Sequence, residues 1–417
     1  MDKNKTKKKK KKKEPWVKKR HAVVTYLAKG VCWPFVVKKY NINIEKFKEQ
    51  GNRQYLIIAN HQTGFDQFFV SYMFKRPIYY IATEDIFSMG FVSKLLKWAV
   101  NPIPIKKQTT DISAVLNCLR VAREGATIAL FPEGNRTYSG HTEYINPAIA
   151  MLVKKLGLPI AFVRIEGGYG VSPRWGDEVR RGNVKMRSYV SRVMEPEEFK
   201  SLSDAEMMEI INKELYIDET KLVGEYKNDR LAEYLERAIY YCPKCNALSA
   251  FESNGDEIEC KKCGMKAKYL PNKELSGVNF DIPYKYISDW YDDQLKFVGA
   301  LDLASFGNEP IYVEEGAIDE VIVYKHKERL YDNVKIHLYG DKILVKSEKE
   351  EFVFPMGEIR AITVCGKNKL NLYFGDKVYQ ITGGERFNAL KYVNLTFRYR
   401  NIKKSEEGED YEQFLGL

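Results

Sequence analysis

Two short stretches hold the residue types that could carry out chemistry in this chain. Residues 60–66 have the sequence NHQTGFD, and residues 131–137 have the sequence FPEGNRT. Each follows an apolar run, at 55–59 and 127–130, that predicts a buried strand. Loops at the carboxyl ends of neighbouring strands in an open α/β sheet can face one cleft. The two stretches therefore predict a site that abstracts a proton beside a bound phosphate.

His61 is the candidate base of the first stretch. A histidine titrates near neutral pH, so it can take a proton from a hydroxyl and return it to a leaving group. Asp66 lies five residues later and could reach the far ring nitrogen, fix the tautomer and stabilise the imidazolium. Taken alone, this pattern also fits a histidine in a strand-to-helix turn that Asp66 caps.

The second stretch supplies groups that suit a phosphate. Arg136 offers a planar and permanently charged fork, and Gly134 allows the backbone to approach a ligand closely. Glu133 adds a carboxylate, and Pro132 fixes the turn. The alternative is a helix-capping loop with an exposed arginine.

Together and in this order, the two stretches resemble the glycerolipid acyltransferase family, in particular the 1-acyl-sn-glycerol-3-phosphate (lysophosphatidic acid) acyltransferases. The resemblance covers roughly residues 20–215. The family also carries a basic residue after a short strand, which resembles 103–107, and a proline-containing strand, which resembles 158–163. Lys107 stands where the family usually has arginine, and Phe162 where it usually has a second proline. Both departures bear on the identity of the acceptor.

The resemblance implies an enzyme that moves a fatty acyl group from a thioester donor to the free hydroxyl of lysophosphatidic acid in phospholipid biosynthesis. The donor would be acyl-coenzyme A or acyl-carrier protein, and the chemistry needs no metal. His61 would be the general base and Asp66 its partner. The expected substrate-binding residues are Lys107, Glu133, Gly134 and Arg136. The alternatives are another lysophospholipid as acceptor, a lipid-binding protein or scaffold without turnover, and a hydrolase that uses water.

The net charge of +11 is concentrated at the amino terminus. Residues 1–20 contain twelve Lys or Arg and two acidic residues, which leaves +1 for residues 21–417. This arm should be disordered, and it leads into the apolar, Trp-bearing stretch 21–37, which is too short for an ordinary spanning helix. Such a combination suits an anionic membrane surface. The sequence predicts a monotopic protein on the cytoplasmic, inner face of a membrane, with a buried first helix as the alternative.

The segment between the two motifs and beyond them alternates strands with helices, which predicts an α/β domain with a mostly parallel sheet flanked by helices. Helices are expected at 67–74, 87–100, 112–123, 147–155 and 203–215. Strands are expected at 77–82, 103–105, 159–165 and 184–190, besides the two before the motifs.

Four cysteines form a second motif with recognisable spacing. Cys242 and Cys245 make one Cys-x2-Cys pair, and after fourteen residues Cys260 and Cys263 make another. This is close to zinc-ribbon spacing, with all four positions occupied, so the zinc would be structural. Iron, two disulfides or free thiols are the alternatives. A nucleic-acid role is disfavoured because acidic residues offset the ribbon's lysines.

From about residue 281 the chain changes character again. A helix is expected at 286–297, then seven strands beginning with 321–324 and 334–338, and a helix at 386–399. This row resembles a pleckstrin-homology-like or GRAM-like barrel. The predicted organisation is a polybasic tail at 1–20, an acyltransferase domain at 21–220, a zinc ribbon at 238–272, a β-rich domain at 281–402 and an acidic tail at 403–417.

Overall fold

The computed structural model describes residues 14–106 and 111–410. The predicted basic run 7–13, the end of the acidic tail and Lys107 lie outside the described residues.

The amino-terminal half contains a seven-stranded sheet between helices. The strands of this half are β1 Ile42–Ile44, β2 Leu56–Ala59, β3 Ile78–Thr83, β4 Ile103–Ile105, β5 Thr127–Leu130, β6 Ile160–Glu166, β7 Arg181–Gly182, β8 Met186–Met194 and β9 Tyr226–Lys227. Strands β7 and β9 pair with each other in a separate two-stranded ribbon, and the other seven form the large sheet. The helices of this half are α1 Lys19–Tyr40, α2 Asp66–Met73, α3 Phe91–Ala99, α4 Ile112–Arg123, α5 Ala148–Leu156, α6 Gly168–Val171, α7 Pro196–Phe199 and α8 Asp204–Leu215.

The strand order in the large sheet is β1-β8-β6-β2-β5-β3-β4. The five strands from β6 to β4 run parallel, whereas β8 runs antiparallel to β6. Alternate residues of the fully buried strand β2 enter two different cores: Leu56 packs on one face and Ile57 on the other. Because β2 and β5 are neighbours, the loops that follow them lie side by side, as the sequence predicts.

One predicted helix is wrong at its start. The sequence predicts a helix over 87–100, but Glu84–Ser88 forms a 3-10 turn and α3 begins at Phe91. Gly90 between them has φ +61°, a left-handed conformation that interrupts an α-helix. The Ser93 hydroxyl then accepts the Met89 N–H at 2.7 Å and secures the turn.

The four cysteines belong to a small antiparallel sheet. Its strands are β10 Phe251–Asn254, β11 Glu257–Cys260, β12 Lys266–Tyr269 and β13 Leu275–Gly277, hydrogen-bonded in that order. Strands β10 and β11 form a hairpin between the two cysteine pairs, with its turn at residues 255 and 256.

The carboxyl-terminal part is an open seven-stranded antiparallel sheet with a helix before it and a helix after it. The helices are α9 Ile287–Ala300 and α10 Ala389–Glu407. The strands are β14 Tyr312–Ile322, β15 His326–Leu338, β16 Lys342–Lys346, β17 Glu351–Pro355, β18 Ile359–Cys365, β19 Lys369–Phe374 and β20 Lys377–Gly383. Their order is β17-β16-β15-β14-β20-β19-β18, and within the described residues the edge strands β17 and β18 form no ladder with each other.

The first two strands of this sheet differ most from the prediction. They extend well beyond the predicted 321–324 and 334–338, because charged residues on their solvent side conceal the strand pattern. The final helix also runs further than predicted, to Glu407, and Gly408 then ends it in a left-handed conformation with φ +73°.

Candidate active site

His61 and Asp66 meet at the carboxyl end of β2. His61 Nδ1 lies 2.8 Å from Asp66 Oδ2, and Asp66 is completely buried as the first residue of α2. The Asp66 carboxylate also accepts the N–H groups of Gln62 and Thr63, at 2.6 and 2.9 Å, and the Thr63 hydroxyl at 2.7 Å. These bonds hold the carboxylate in one position, so the imidazole that it binds is held as well.

The other ring nitrogen of His61 is available for chemistry. Since Nδ1 donates to Asp66, Nε2 carries the free lone pair and can accept a proton. No described residue forms a hydrogen bond with Nε2, and the His61 side chain is 20% exposed. The ring stacks on Phe131 of the second motif, with ring centroids 4.4 Å apart. This arrangement fits a general base whose free nitrogen can accept a proton from a substrate hydroxyl.

Glu133 of the second motif is hydrogen-bonded to the backbone of the first motif. One of its carboxylate oxygens accepts the His61 N–H at 2.8 Å, and the other accepts the Glu143 N–H at 3.1 Å. Burial raises the pKa of Glu133 to about 8, while these two N–H groups act in the opposite direction. The sequence predicts that Glu133 is a substrate-binding residue. In the structure both carboxylate oxygens accept backbone N–H groups, which suits holding the His61 loop, and substrate binding by Glu133 stays a prediction.

Gly134 makes the turn of the second motif. Its φ is +70°, which side chains disfavour, and its N–H donates to the Phe131 carbonyl at 3.0 Å. A Cβ atom here would meet nothing within 4 Å, so the glycine leaves the backbone of the loop open to a ligand.

Arg136 is a cation with no anionic partner among the residues that the structure describes. No described acidic side chain forms an ion pair or a hydrogen bond with its guanidinium. Asp66 and Tyr40 act on the guanidinium electrostatically and favour its charged form. Burial, and then the neighbouring Arg174, lower the pKa of Arg136 to about 10.

Arg174 is the site residue that sequence reasoning missed. It is 2% exposed, donates to the Arg136 carbonyl at 2.8 Å, and lies 4.1 Å from the Tyr138 ring centroid. Its Nε has no hydrogen-bond partner within the described part of the chain. Two neighbouring arginine side chains that no described carboxylate neutralises form a site that favours the binding of an anion. No sequence signal identifies Arg174, because it stands in an irregular loop 38 residues after Arg136.

The carboxyl-terminal sheet forms one side of this region. Asn135, inside the second motif, donates to the Val364 carbonyl of β18 at 3.3 Å, and Arg174 donates to the Gly366 carbonyl at 3.4 Å. The Lys367 ammonium pairs with Asp177 at 2.5 Å. The turn between β18 and β19 therefore packs directly against the loop that carries Arg136.

The four cysteine sulfurs converge away from this cleft. All four lie within 4.8 Å of one another, and the Cys242–Cys263 and Cys245–Cys260 sulfur distances are 3.7 and 3.8 Å. A tetrahedral zinc with Zn–S bonds of about 2.3 Å separates its sulfurs by about 3.8 Å. Disulfide sulfurs would lie about 2.05 Å apart, so the geometry favours a metal over the disulfide alternative. The residue after each pair, Asn246 or Gly264, has a left-handed φ, as two equivalent metal knuckles require.

Comparison with known proteins identifies the part of the chain that holds the His61 and Arg136 loops. Residues 38–166 match the family model described as Acyltransferase. This part of the chain is similar to the Acyltransferase family. The family match covers both motif loops and the strands that precede them.

Two curated relatives match parts of the chain. The chain is 22% identical over 182 residues to "1-acyl-sn-glycerol-3-phosphate acyltransferase LPAT1, chloroplastic" of Arabidopsis thaliana, which covers 42% of the chain and 49% of that relative. It is 26% identical over 106 residues to a 1-acyl-sn-glycerol-3-phosphate acyltransferase of Borreliella burgdorferi, which covers 25% of the chain and 42% of that relative. The chain thus spans less than half the length of both curated relatives.

A solved structure is similar to part of the chain. The 1-acyl-sn-glycerophosphate (LPA) acyltransferase PlsC from Thermotoga maritima is 18% identical, with a TM-score of 0.35. The match covers 46% of the chain and 90% of that protein.

Proposed function

We propose that the protein transfers a fatty acyl group from a thioester, acyl-coenzyme A or acyl-carrier protein, to the free hydroxyl of lysophosphatidic acid. The observation that carries this proposal is the His61–Asp66 pair, with its free Nε2, next to the unpaired guanidinium of Arg136. A base and a phosphate-binding cation at one cleft are what such an acceptor requires. The activities named for the two curated relatives support the same reaction.

The reaction follows from this geometry. His61 Nε2 removes the proton of the acceptor hydroxyl as that oxygen attacks the thioester carbonyl, and a C–O bond forms. The buried Asp66 carboxylate stabilises the imidazolium that results. When the tetrahedral intermediate collapses, the C–S bond breaks and the leaving thiolate takes the proton from His61. No cofactor is consumed.

Arg136 would hold the acceptor phosphate through two parallel hydrogen bonds, and Arg174 would add charge behind it. Gly134 leaves the turn open, so its backbone can approach the phosphate. Lys107, which comes two residues after β4 in the sequence, would complete the set. Glu133 would act indirectly, by holding the His61 backbone.

The outer face of α1 supports docking on a membrane surface. Val23, Leu27 and Val31 are 57%, 65% and 77% exposed. The one Lys, Arg, Asp or Glu residue between Arg20 and Lys38 is Lys29, and it faces inward, where its ammonium donates to the Phe74 carbonyl at 2.8 Å. A helix that faces water usually exposes its charged residues and buries its apolar ones. Helix α1 has the opposite arrangement.

Helix α3 extends this apolar surface. Phe91, Leu95 and Trp98 are 78%, 51% and 53% exposed, and the Arg20 guanidinium of α1 stacks over the Trp98 ring at 5.5 Å. No described helix is both long and apolar enough to cross a bilayer. We therefore propose a protein that lies on the inner, cytoplasmic face of an anionic membrane, with α1 and α3 in the lipid interface.

We also propose an organisation for the rest of the chain. We propose a structural zinc on Cys242, Cys245, Cys260 and Cys263, in a ribbon at about 238–272. We propose a pleckstrin-homology-like or GRAM-like unit at about 281–402, after the acyltransferase domain at 21–220. The polybasic tail 1–20 and the acidic tail 403–417 complete the proposed organisation.

The test is acyl transfer from labelled acyl-coenzyme A and acyl-carrier protein to a panel of lysophospholipids, with free fatty acid also measured. His61→Ala should lower transfer to lysophosphatidic acid by about 10²–10⁴, the size of a general-base contribution. His326→Ala is the matched control, because His326 is exposed on β15, where its ring pairs with Glu328 and with neither motif loop, and its loss should leave the rate unchanged.

The other outcomes separate the alternatives. Release of free acid without an acceptor would indicate a hydrolase, in which water replaces the hydroxyl. Transfer to a different lysophospholipid would change the acceptor and keep the mechanism. Folded, zinc-loaded protein that catalyses neither reaction would favour a scaffold or a lipid-binding protein.

A further inference from the structure

A second basic cavity lies at the opposite end of the sheet from His61. Its volume is about 600 Å³, and it is enclosed by α1, by the segment between β1 and β2, and by the carboxyl end of α2. His61 follows the end of β2, whereas this cavity lies beside the residues that lead into β2. The cavity is therefore separate from the proposed acceptor site.

Lysines dominate the charge of this cavity. Lys29, Lys46, Lys48 and Lys75 line it, and no acidic residue does. Within the described ranges none of the four forms an ion pair. Glu45, the acidic residue beside Lys46, pairs instead with Arg187 at 3.0 Å. Positive charges that converge without a counter-ion favour an anion between them.

A buried amide supports the same conclusion independently. Gln50 lines the cavity and is 1% exposed. Its Oε1 accepts the Lys75 N–H at 2.6 Å, but its Nε2 has no partner among the residues described. Buried donors are nearly always paired in proteins, so an unpaired one beside four cations indicates a ligand oxygen.

The position of the cavity indicates the source of this oxygen. Tyr26 lines the cavity and also lies on the exposed side of α1, next to Leu27. The Lys46 ammonium stacks over the Trp33 ring at 5.5 Å, and that ring meets the Tyr72 ring edge-on at 4.6 Å. Lysines with aromatic rings at the edge of an apolar helix face are typical of residues at the level of lipid headgroups.

We propose that this cavity binds the phosphate headgroup of an anionic membrane phospholipid that is not the acyl acceptor. The lysines and the Gln50 amide would hold the phosphate, while the acyl chains stay in the bilayer beside α1. The site would orient the enzyme so that the same membrane supplies the acceptor to the His61 cleft. It rests on the proposed membrane docking and does not depend on the chemistry of acyl transfer.

The test uses the full chain and vesicles of phosphatidylcholine with or without phosphatidic acid, at fixed salt. A double variant, Lys48→Gln with Lys75→Gln, removes two exposed cavity lysines. We expect it to lose about thirtyfold of the preference for phosphatidic acid, since each lysine near an anionic surface contributes about 1 kcal/mol. The matched control is Lys213→Gln with Lys227→Gln, two exposed lysines elsewhere, which should lose less than about threefold.

Soluble probes distinguish a lipid from free phosphate. Dihexanoyl phosphatidic acid should protect Lys48 and Lys75 from acetylation, and inorganic phosphate at the same concentration should not. Equal protection by inorganic phosphate, or equal vesicle binding by the cavity and control variants, would overturn the proposal.

Acyl transfer in neutral detergent separates this result from the proposed function. The cavity variant should retain the transfer rate of the wild type there, because detergent removes the need for orientation. A matching loss of transfer in detergent would place these lysines in catalysis and overturn a separate site. If the wild type transfers no acyl group but keeps its lysine-dependent preference for phosphatidic acid, the proposed function fails and the lipid site stands.

Discussion

The structure distinguishes two buried carboxylates that the motifs bring together. Asp66 accepts the imidazole N–H, so it acts on the chemistry of His61 directly. Glu133 accepts the backbone N–H of the same residue, so it acts on the position of His61. Both are almost fully buried, and neither pairs with Arg136 among the described contacts. The guanidinium is thereby left for a substrate anion.

Glu133→Gln should separate positioning from binding. An amide offers one acceptor oxygen, so one of the two backbone N–H groups would face an NH2 donor and the loop would shift. Misplacing a catalytic group by about 1 Å can cost about 10²-fold in rate. We expect kcat to fall by about ten- to a hundredfold, with the acceptor KM changed by less than about threefold.

The comparison variant is Arg136→Gln. It should mainly raise the acceptor KM, because it removes the guanidinium that would bind the phosphate through two hydrogen bonds. Steady-state kinetics with both substrates varied would measure this split. If Glu133→Gln raised KM and left kcat unchanged, the carboxylate would belong to the binding site, as the sequence analysis had it.

Individual elements join the four-cysteine sheet to the part of the chain that holds His61. Lys273, after β12, is 1% exposed and donates to the Glu219 carbonyl at 2.6 Å. The Glu219 carboxylate accepts the Gly167 N–H at 2.8 Å. The next residue, Gly168, packs so closely on Gln62 that an added Cβ would lie 2.6 Å from its side chain. These contacts connect the four-cysteine sheet with the turn behind His61.

Loss of zinc should weaken both stability and turnover. Cys245→Ser and Cys263→Ser should each lose bound zinc, measured by elemental analysis, because thiolates are the ligands. We expect a lower unfolding temperature and at least about a tenfold loss of acyl transfer, comparable to second-shell effects in other sites.

Cys32→Ser is the control, because Cys32 lies in α1, far from the cluster in sequence, and should keep its zinc. Full zinc content and normal stability in Cys245→Ser would argue against a four-cysteine site. Zinc loss with unchanged acyl transfer would contradict the connection to the His61 loop.

At the scale of the whole molecule, the carboxyl-terminal region is fastened to the acyltransferase domain on two sides. Asn371 of β19 donates to Asp85 at 2.7 Å, beside the α3 surface. On the other side, His141 Nε2 lies 2.9 Å from Asp292 of α9, and its Nδ1 donates to the Thr142 carbonyl at 3.1 Å. Burial opposes the charge of His141, but Asp292 and Glu143 outweigh it and raise its pKa to about 9.

This histidine should make the stability of the protein depend on pH. The folded pKa lies above the unfolded value of about 6.5, so the contribution is fully present below pH 6.5 and is lost as pH rises through about 9. The wild type should lose about 1–3 kcal/mol more than His141→Gln between pH 6 and pH 9.5. Urea unfolding of both proteins at the two pH values would measure the difference, and parallel losses would exclude His141 as the cause.

The central elements were predictable because local patterns specify them. Buried strands β2 and β5 are continuous apolar runs, and Asp111 caps α4 by accepting the Ala114 N–H at 3.1 Å, as its position predicts. The lengths of strands β14 and β15 were underestimated, because charged residues on their solvent-exposed face hide the alternation of apolar and polar residues. The start of α3 was missed because the left-handed Gly90 leaves no sign in the apolar spacing.

The sequence by itself determined the two motif loops and the four-cysteine cluster. Each depends on residues a few positions apart, whose spacing and backbone turns bring the side chains together once the flanking strands form. Only the tertiary structure decided the place of Arg174, the backbone partners of Glu133 and the lysine cavity. These features join residues that are distant in the chain, and their partners are set by how the helices and sheets pack, which no local pattern encodes.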